Sequence, residues 1–168
     1  LPSWLAFHPA TRTLSGTPAN EDVGTVDITL TATDPVGESA EDRFQVTVTN
    51  VNDPPVSDAG GPYRVSLTGD LLLDGSGSYD PDAAFGDSIR FYRWDIGERG
   101  IWAYSGVQPT VPWEDLAGFA WDTAVTVRLE VTDSFGVSAS STTELTIGSP
   151  VDLGPIDFTE FSSPDLSG

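Results

Sequence analysis

The stretch TVDITLTATDPVGESAEDRFQVTV, residues 25–48, decides the fold, because apolar and polar residues alternate along both of its halves. The apolar positions share one face of each half: Val26, Ile28, Leu30 and Ala32, and then Phe44, Val46 and Val48. Alternation of this kind is typical of antiparallel strands that are buried on one side only. The turn-forming run Asp34-Pro35-Val36-Gly37 separates the two halves, so we predict a β-hairpin.

A second hairpin of the same design is predicted in TVRLEVTDSFGVSASSTTELTI, residues 126–147. Its inward positions are Val125, Val127, Leu129 and Val131 before the turn, and Leu145 and Ile147 after it. The turn itself, Asp133-Ser134-Phe135-Gly136, has the same Asp and Gly spacing as the first. A supersecondary unit that returns in this way predicts two modules of similar architecture.

The remaining sequence predicts further short strands and almost no helix. Apolar positions that indicate strands are Leu71, Leu73, Tyr92, Trp94 and Ile96. The Gly- and Asp-rich run DGSGSYDPDAAFGD separates them, and only WEDLAGFAW, residues 113–121, has room for a helical turn. The pattern predicts an all-β fold of tandem immunoglobulin-like β-sandwiches. We place the domains at residues 1–53 and 54–148, with residues 149–168 as a linker or the start of another module.

The charge balance restricts the possible partners. The chain carries 26 acidic and 7 basic residues, for a formal net charge of −19. Such a molecule is repelled by nucleic-acid backbones and anionic membranes, so we expect no nucleic-acid partner and no direct membrane insertion. The chain has no Cys, which excludes disulfides and thiolate metal sites. Because the sequence starts in mid-pattern without Met, we expect a fragment whose partners include neighbouring domains of the same polypeptide.

The N-terminal part carries a recognisable set of motifs. LPSWL at residues 1–5, PATRTLSGTP at residues 9–18 and the closing hairpin resemble the second half of a dystroglycan-type cadherin-like domain of bacterial surface and secreted proteins. The resemblance implies an immunoglobulin-like sandwich whose opening strands are missing, so the first sandwich is truncated. His8 stands where this family usually has Asp, and Arg12 where it usually has Gly.

The second part resembles a PKD (polycystic kidney disease-type) domain. The matching motifs are AGGPY at residues 59–63, LDGSGSYDPD at 73–82, YRWDIG at 92–97 and LEVTDSFG at 129–136. The resemblance implies another immunoglobulin-like sandwich and an extracellular or cell-surface location. The loop after Asp82 departs from the family, since Ala83-Ala84-Phe85 precedes Gly86-Asp87 where a shorter Asp-Gly-Asp is usual. Glu98-Arg99 also replaces a pair that is commonly more acidic.

Sandwich topology predicts that acidic and amide side chains meet near the junction of the two domains. Strands reverse direction at each turn, so alternate loops gather at one pole. Asp87 belongs to the same pole, and the candidate metal ligands are Glu21, Asp22, Asn50, Asn52, Asp53, Asp80, Asp82 and Asp133. Clustered carboxylates repel each other, and Ca²⁺ takes six to eight oxygen ligands in a flexible cage. A single His and no Cys almost exclude zinc.

Family resemblance adds to the calcium prediction. Asn50-Val51-Asn52-Asp53 resembles the cadherin linker motif Asp-x-Asn-Asp, in which calcium binds between tandem domains. Asn50 replaces the first Asp and Pro54 replaces the following Asn, so the resemblance implies a weakened site. Collagenase-type PKD modules hold calcium near the positions of Asp80 and Asp133. The alternative is that these residues are ordinary solvated turns, because Asn and Asp beside proline are common turn formers.

Three classes of function follow from these observations. The first is a non-catalytic structural or adhesion segment, stiffened by calcium, in a larger surface or secreted protein. The alternative is an accessory module of a secreted hydrolase that binds polysaccharide or another cell-surface protein, with Trp102 and Tyr104 stacking on the ligand. The same aromatic residues could instead pack against the sandwich. We predict that the chain is not an enzyme, because it offers one His, no Cys, no nucleophile elbow, and acids on turns outside any cleft.

Overall fold

The computed structural model describes residues 1–66 and 68–149, and this part of the chain is built almost entirely of strands. In chain order they are β1 Leu5–His8, β2 Thr13–Gly16, β3 Gly24–Thr33, β4 Ser39–Val48, β5 Tyr63–Val65, β6 Leu71–Leu72, β7 Ile89–Ile96, β8 Tyr104–Ser105, β9 Thr110–Val111, β10 Ala124–Asp133 and β11 Ser138–Ile147. The predicted all-β class is confirmed. Our expectation of a further module at the C-terminus concerns residues 150–168, which lie outside the described part.

The chain divides into two compact units. The first comprises Leu1–Val56, Tyr79–Arg90 and Thr132–Ala139. The second comprises Ser57–Ser78, Phe91–Val131 and the chain from Ser140 onward. The domain boundary that we placed between residues 53 and 54 stays a prediction.

Strands β3 and β4 form the predicted hairpin in the first unit. The two strands pair antiparallel over ten residues each, from Gly24↔Val48 to Thr33↔Ser39. Val26 lies opposite Val46, and Ile28 lies opposite Phe44. Residues that face each other across a ladder project from the same side of it. The apolar residues of both strands therefore share one face, as the alternation predicted.

That shared face is covered unevenly. Ile28 is only 4% exposed, whereas Leu30 is 43% and Phe44 37% exposed. Within residues 1–66 and 68–149, β3 and β4 pair only with each other. Our expectation that the whole apolar face is buried is therefore wrong for Leu30, Ala32 and Phe44, which stay exposed to solvent.

A short antiparallel ladder, β1 with β2, contains the motifs that carried the first resemblance. Gly16 lies opposite Leu5, and a Cβ at position 16 would lie 1.8 Å from the backbone oxygen of Trp4. Only glycine fits there. Arg12, in the turn between these strands, adopts a φ of 58°, the left-handed region that glycine tolerates best. Glycine would adopt this conformation without the steric cost that Arg12 has.

The main sheet has five strands in the order β5-β11-β10-β7-β8. Strand β5 pairs parallel with β11, and β8 pairs antiparallel with β7. Alternate residues of the second hairpin are buried as predicted: Val125, Val127, Leu129, Val131, Leu145 and Ile147. Every second side chain of β10 therefore points into the core, and those between them point away from it.

Trp94 lies at the centre of this core. It is fully buried, and its indole N–H donates a hydrogen bond of 3.0 Å to the backbone oxygen of Gly106. Gly75 follows β6 and packs so closely that an added Cβ would lie 3.0 Å from both Leu129 and Trp94. Leu71 and Val111, on the paired strands β6 and β9, are also buried. The core thus closes around the Trp94 ring.

One helical turn, α1 Trp113–Leu116, lies within the segment where the sequence left room for it. Its last residue, Leu116, is fully buried. No helix in the described part of the chain is long and apolar enough to cross a bilayer.

Candidate metal centre

Three buried carboxylates meet in the first unit. Asp80, Asp87 and Asp133 are 7%, 5% and 2% exposed, and one oxygen of each lies within 4.8 Å of the others. None of the three forms an ion pair with a basic side chain in residues 1–66 and 68–149. Buried like charges repel each other strongly, so this arrangement favours either bound protons or a bound cation.

The loop between the first two acids sets their positions. Asp80 Oδ1 accepts a hydrogen bond of 2.8 Å from the backbone N–H of Asp82. A 3-10 turn at Ala83–Phe85 follows, and Gly86, with a φ of 98°, ends it. Because this turn folds Ala83–Phe85 into a compact loop, Asp87 lies beside Asp80. Asp87 is held by Ser134, whose backbone N–H donates to Asp87 Oδ1 at 3.1 Å and whose hydroxyl donates to the same oxygen.

Asp133 is the last residue of β10 and organises the turn into β11. Its Oδ1 accepts hydrogen bonds from the backbone N–H groups of Phe135, at 2.9 Å, and Val137, at 2.8 Å. Its Oδ2 accepts a bond of 2.9 Å from the side-chain amide of Asn52. The segment that follows β4 is therefore tied directly to one of the three acids.

Four buried side-chain oxygens in and beside this cluster have no hydrogen-bond donor within the described residues. They are Asp80 Oδ2, Asp87 Oδ2, Asn50 Oδ1 and Asn52 Oδ1. Buried acceptors in proteins are normally satisfied, because an unpaired one loses its hydration without compensation. Carboxylate and amide oxygens are the ligands that Ca²⁺ prefers. These residues therefore fit a hard divalent cation.

The acids of the cluster differ in their ionisation. Burial raises the pKa of Asp80, and the negative charges of Asp87, Asp133 and Asp82 raise it further, against the opposing N–H of Asp82. Burial also acts to raise the pKa of Asp133, but the hydrogen bonds from Asn52 and the turn N–H groups outweigh it and lower that pKa overall. Asp133 is thus stabilised as an anion by its neighbours, whereas Asp80 is not.

Asp82 has a different environment. It is fully buried. Its Oδ1 accepts a hydrogen bond of 2.8 Å from the side-chain amide of Asn20, and its Oδ2 accepts one of 2.6 Å from the backbone N–H of Asp53. The Asp53 N–H and the Asn20 amide hold the pKa of Asp82 below its usual range. Both oxygens of Asp82 therefore already accept hydrogen bonds, whereas Asp80 and Asp87 each keep one oxygen without a donor.

Three of the other predicted acidic ligands, Glu21, Asp22 and Asp53, add no carboxylate to the cluster in the described part of the chain. Glu21 is exposed, and Asp22 Oδ2 accepts a bond of 2.9 Å from the backbone N–H of Ala19. The Asp53 residue is exposed as well, although its N–H contacts Asp82. The structure therefore brings together Asp80 and Asp133 from the predicted acidic ligands, and it ties the predicted ligand Asn52 to Asp133. It adds Asp87, which the sequence placed at this pole without naming it a ligand.

The predicted stacking pair lies in the second unit. Trp102 is half-buried, and the guanidinium carbons of Arg93 and Arg128 lie 5.0 and 5.3 Å from its ring centroid. The hydroxyl of Tyr104 donates to Asp115. Burial, together with that hydrogen bond and the Asp115 charge, raises the pKa of Tyr104 to about 12. Each aromatic residue is thus held by different neighbours, and ligand stacking by the pair stays a prediction.

Comparison with known proteins gives a match to a family model and several similar solved structures, of which two are described. Residues 1–49 match the family model described as "Putative Ig domain". The PKD1 domain of Epp from Vibrio anguillarum is 22% identical, with a TM-score of 0.44, 60% of this chain and 100% of that chain being covered. A nucleoside hydrolase-related hypothetical protein from Saccharophagus degradans, associated with carbohydrate metabolism, is 21% identical, with a TM-score of 0.39. The match covers 57% of this chain and 26% of that chain. The family match supports the immunoglobulin-like architecture predicted for the N-terminal residues.

Proposed function

We propose that this chain is a non-catalytic structural or adhesion segment of an extracellular protein, and that it is stiffened by calcium. Asp80, Asp87 and Asp133 would bind the ion, with the amide oxygens of Asn52 and Asn50 as further ligands. Calcium supplies only charge neutralisation and coordination in this role.

The observation that carries the proposal is the set of buried oxygens without donors. Solvated turn acids would point into water, but Asp80 and Asp87 are more than nine-tenths buried and each keeps one oxygen unpaired. A cation satisfies both the unpaired oxygens and the clustered charge in one step. Mg²⁺ demands a near-ideal octahedron and sheds water reluctantly, so a cage of carboxylates and amides favours Ca²⁺.

Stiffening would follow from the contacts of the segment after β4. Asn52 donates to Asp133, and the Asp53 N–H donates to Asp82, so two successive residues are anchored to buried acids. Pro54 and Pro55 come next, and proline has a fixed φ and no backbone N–H. An ion that fixes Asp133 also fixes the partner of Asn52. Calcium occupancy would therefore control how firmly this segment is held.

Thermal unfolding of the full chain tests the proposal. We expect Tm to rise when Ca²⁺ replaces excess chelator, because a ligand that binds only the folded state stabilises it. Extracellular modules often bind Ca²⁺ with a Kd of about 10⁻⁴–10⁻³ M, and ligand at about 100 times Kd adds roughly 2.7 kcal/mol. Circular dichroism in a Ca²⁺ titration up to about 10 mM, with Mg²⁺ in parallel, measures the shift.

Matched variants make the calcium result specific to the cluster. Asp80→Asn and Asp87→Asn should each remove most of the calcium-dependent rise, because each replaces an unpaired anionic ligand by a neutral amide. Asp42→Asn is the control, since Asp42 is exposed on β4 and contacts only the following N–H. An equal rise in all three variants, or no rise in the wild type, would contradict the proposal.

Asp82 gives a separate prediction about the same region. We propose that it acts as a clamp for residues 50–55 and that it is not needed as a ligand, because its two oxygens already accept N–H groups. Asp82→Asn places an amide N–H against one of these donors. We expect Tm in chelator to fall by several degrees while the calcium-dependent rise remains. Loss of the rise would instead put Asp82 among the ligands.

A further inference from the structure

The outer face of the main sheet carries a group of side chains that the proposed calcium role does not use. Trp94, Val127 and Leu129 are fully buried, so Arg93 before Trp94 on β7 and Arg128 between the other two on β10 project from the opposite face. Trp102 lies over both arginines, with its ring centroid 5.0 and 5.3 Å from their guanidinium carbons. We call Arg93, Trp102 and Arg128 the Arg–Trp patch.

The patch keeps free hydrogen-bond donors in an otherwise strongly acidic chain. Arg93 pairs with Glu130. Arg128 has no carboxylate within salt-bridge distance in residues 1–66 and 68–149, and one of its nitrogens donates to the hydroxyl of Ser140 at 3.3 Å. A guanidinium has five N–H donors in a planar fork. Because Arg128 is held by an indole ring and not by an acid, most of its donors remain available to a ligand.

We infer that the Arg–Trp patch binds an acidic polysaccharide of the uronate type. Arginine recognises carboxylates through two parallel hydrogen bonds, and an aromatic ring offers an apolar surface to a sugar ring. Phe91 lies two residues before Arg93 on the same face and is 65% exposed, which adds a second aromatic surface. Ser140, Thr142 and Glu144 alternate with the inward positions of β11, so two hydroxyl groups and one carboxylate lie on the same face of the sheet as the patch.

The position of the patch argues against an acidic peptide. Extended peptides bind at sheet edges, where backbone groups are unpaired, and amphipathic helices bind in apolar grooves. The patch lies on the face of β7 and β10, which are interior strands of the sheet with hydrogen-bonded neighbours on both sides. Its border of hydroxyl groups is polar. A chain of sugar rings lying flat on this face uses the exposed donors without needing free backbone groups.

The net charge of −19 is compatible with this ligand under physiological salt. The Debye length is about 8 Å at 0.15 M ionic strength, so distant acids are screened and a bound sugar mainly experiences the groups at the patch. These are the two guanidinium groups and the Glu130 carboxylate that pairs with Arg93, which leaves the charge of Arg128 uncompensated there. A uronate chain carries one charge on each ring. Duplex DNA is far more densely charged, with one charge in about 1.7 Å of its axis, and is repelled more strongly by the rest of the surface.

Biolayer interferometry on immobilised polygalacturonate tests this inference. The full chain is measured at about 0.15 M salt in chelator, which removes calcium bridges between acidic protein and acidic sugar and separates this result from the calcium proposal. We expect saturable binding to polygalacturonate and none to dextran. Arg128→Gln should weaken binding at least about tenfold, the effect of losing one charge-assisted hydrogen bond. Trp102→Ala should weaken it as well.

Two controls distinguish the patch from a general effect of charge. Arg64→Gln removes the same charge from an exposed residue on the edge strand β5 and should change the affinity less than about twofold. Arg128→Lys keeps the charge without the planar fork and should lose part of the affinity. Unchanged Tm values will show that each variant is folded.

Three results would overturn the inference. These are absence of binding by the wild type, equal weakening by Arg64→Gln and Arg128→Gln, and displacement from polygalacturonate by polyglutamate as effectively as by free polygalacturonate. The last result would identify an acidic peptide as the partner class.

Discussion

Trp94→Ala is expected to destabilise the second compact unit by about 3–5 kcal/mol, the usual cost of truncating a buried aromatic side chain. The ring is fully buried, and the substitution also leaves the Gly106 oxygen without its indole donor. For a domain of 60–100 residues, each kcal/mol lowers Tm by roughly 4–8 °C. We therefore expect Tm to fall by at least about 12 °C.

Trp121→Ala provides the matched control for this truncation. Trp121 is 50% exposed, so removing the same indole there should cost no more than about half as much free energy of unfolding, because about half as much apolar surface is lost from the folded state. Thermal unfolding by circular dichroism compares the two variants without depending on tryptophan emission. Similar Tm values for both variants would show that Trp94 is not the centre of the core.

The two hairpins could be predicted because their signals are local. Alternation with period two identifies the strands, and Asp followed three residues later by Gly identifies each turn. The structure gives both turns the same chemistry. Asp34 Oδ1 accepts from the N–H groups of Val36 and Glu38, as Asp133 Oδ1 accepts from those of Phe135 and Val137. Short-range hydrogen bonds of this kind are fixed by the residue types in the turn.

Burial of the first hairpin could not be predicted from the same alternation. Alternation of apolar and polar residues predicts which residues share a face of the hairpin. The fraction of that face that is buried depends on what packs against it. Ile28 is buried and Leu30, two residues along the same strand, is 43% exposed. The corresponding residues Val127 and Leu129 of the second hairpin are fully buried. Identical patterns thus give different burial where the neighbouring layer differs.

The membership of the candidate site was predicted only in part. Sandwich topology brought Asp80 and Asp133 to one pole, but it gives no distances. The topology placed Asp87 at this pole too, but the departure from the PKD-like pattern after Asp82 kept it out of the predicted ligands, because the sequence alone does not show that Ala83–Phe85 forms a 3-10 turn. That turn and the bonds from Ser134, 47 residues away, place Asp87 beside the other two acids. The Gly86-Asp87 pair, which matches the end of the usual Asp-Gly-Asp, was the sequence signal that could have identified Asp87 as a ligand.

Asp133→Ala is expected to abolish the calcium-dependent rise in Tm. Asp34→Ala is the control that separates the loss of a calcium ligand from the loss of turn hydrogen bonds. Both substitutions remove a carboxylate that caps a hairpin turn through the N–H groups two and four residues later. Both turns have glycine three residues after the Asp, with φ values of 94° at Gly37 and 87° at Gly136. The loss of turn hydrogen bonds is therefore common to both variants.

Only Asp133 also contacts the acid cluster. It lies within 4.8 Å of ligand oxygens of Asp80 and Asp87 and accepts a bond from Asn52. Since loss of outer-shell partners alone weakens metal binding about 10–100-fold, loss of a direct ligand should raise the Kd for Ca²⁺ by at least about 100-fold. We expect Asp34→Ala to lower Tm in chelator but to keep the full calcium response. Asp133→Ala should lower Tm in chelator and show no response up to about 10 mM Ca²⁺. If both variants respond to calcium as the wild type does, Asp133 is a turn residue like Asp34, and the cluster is not a calcium site.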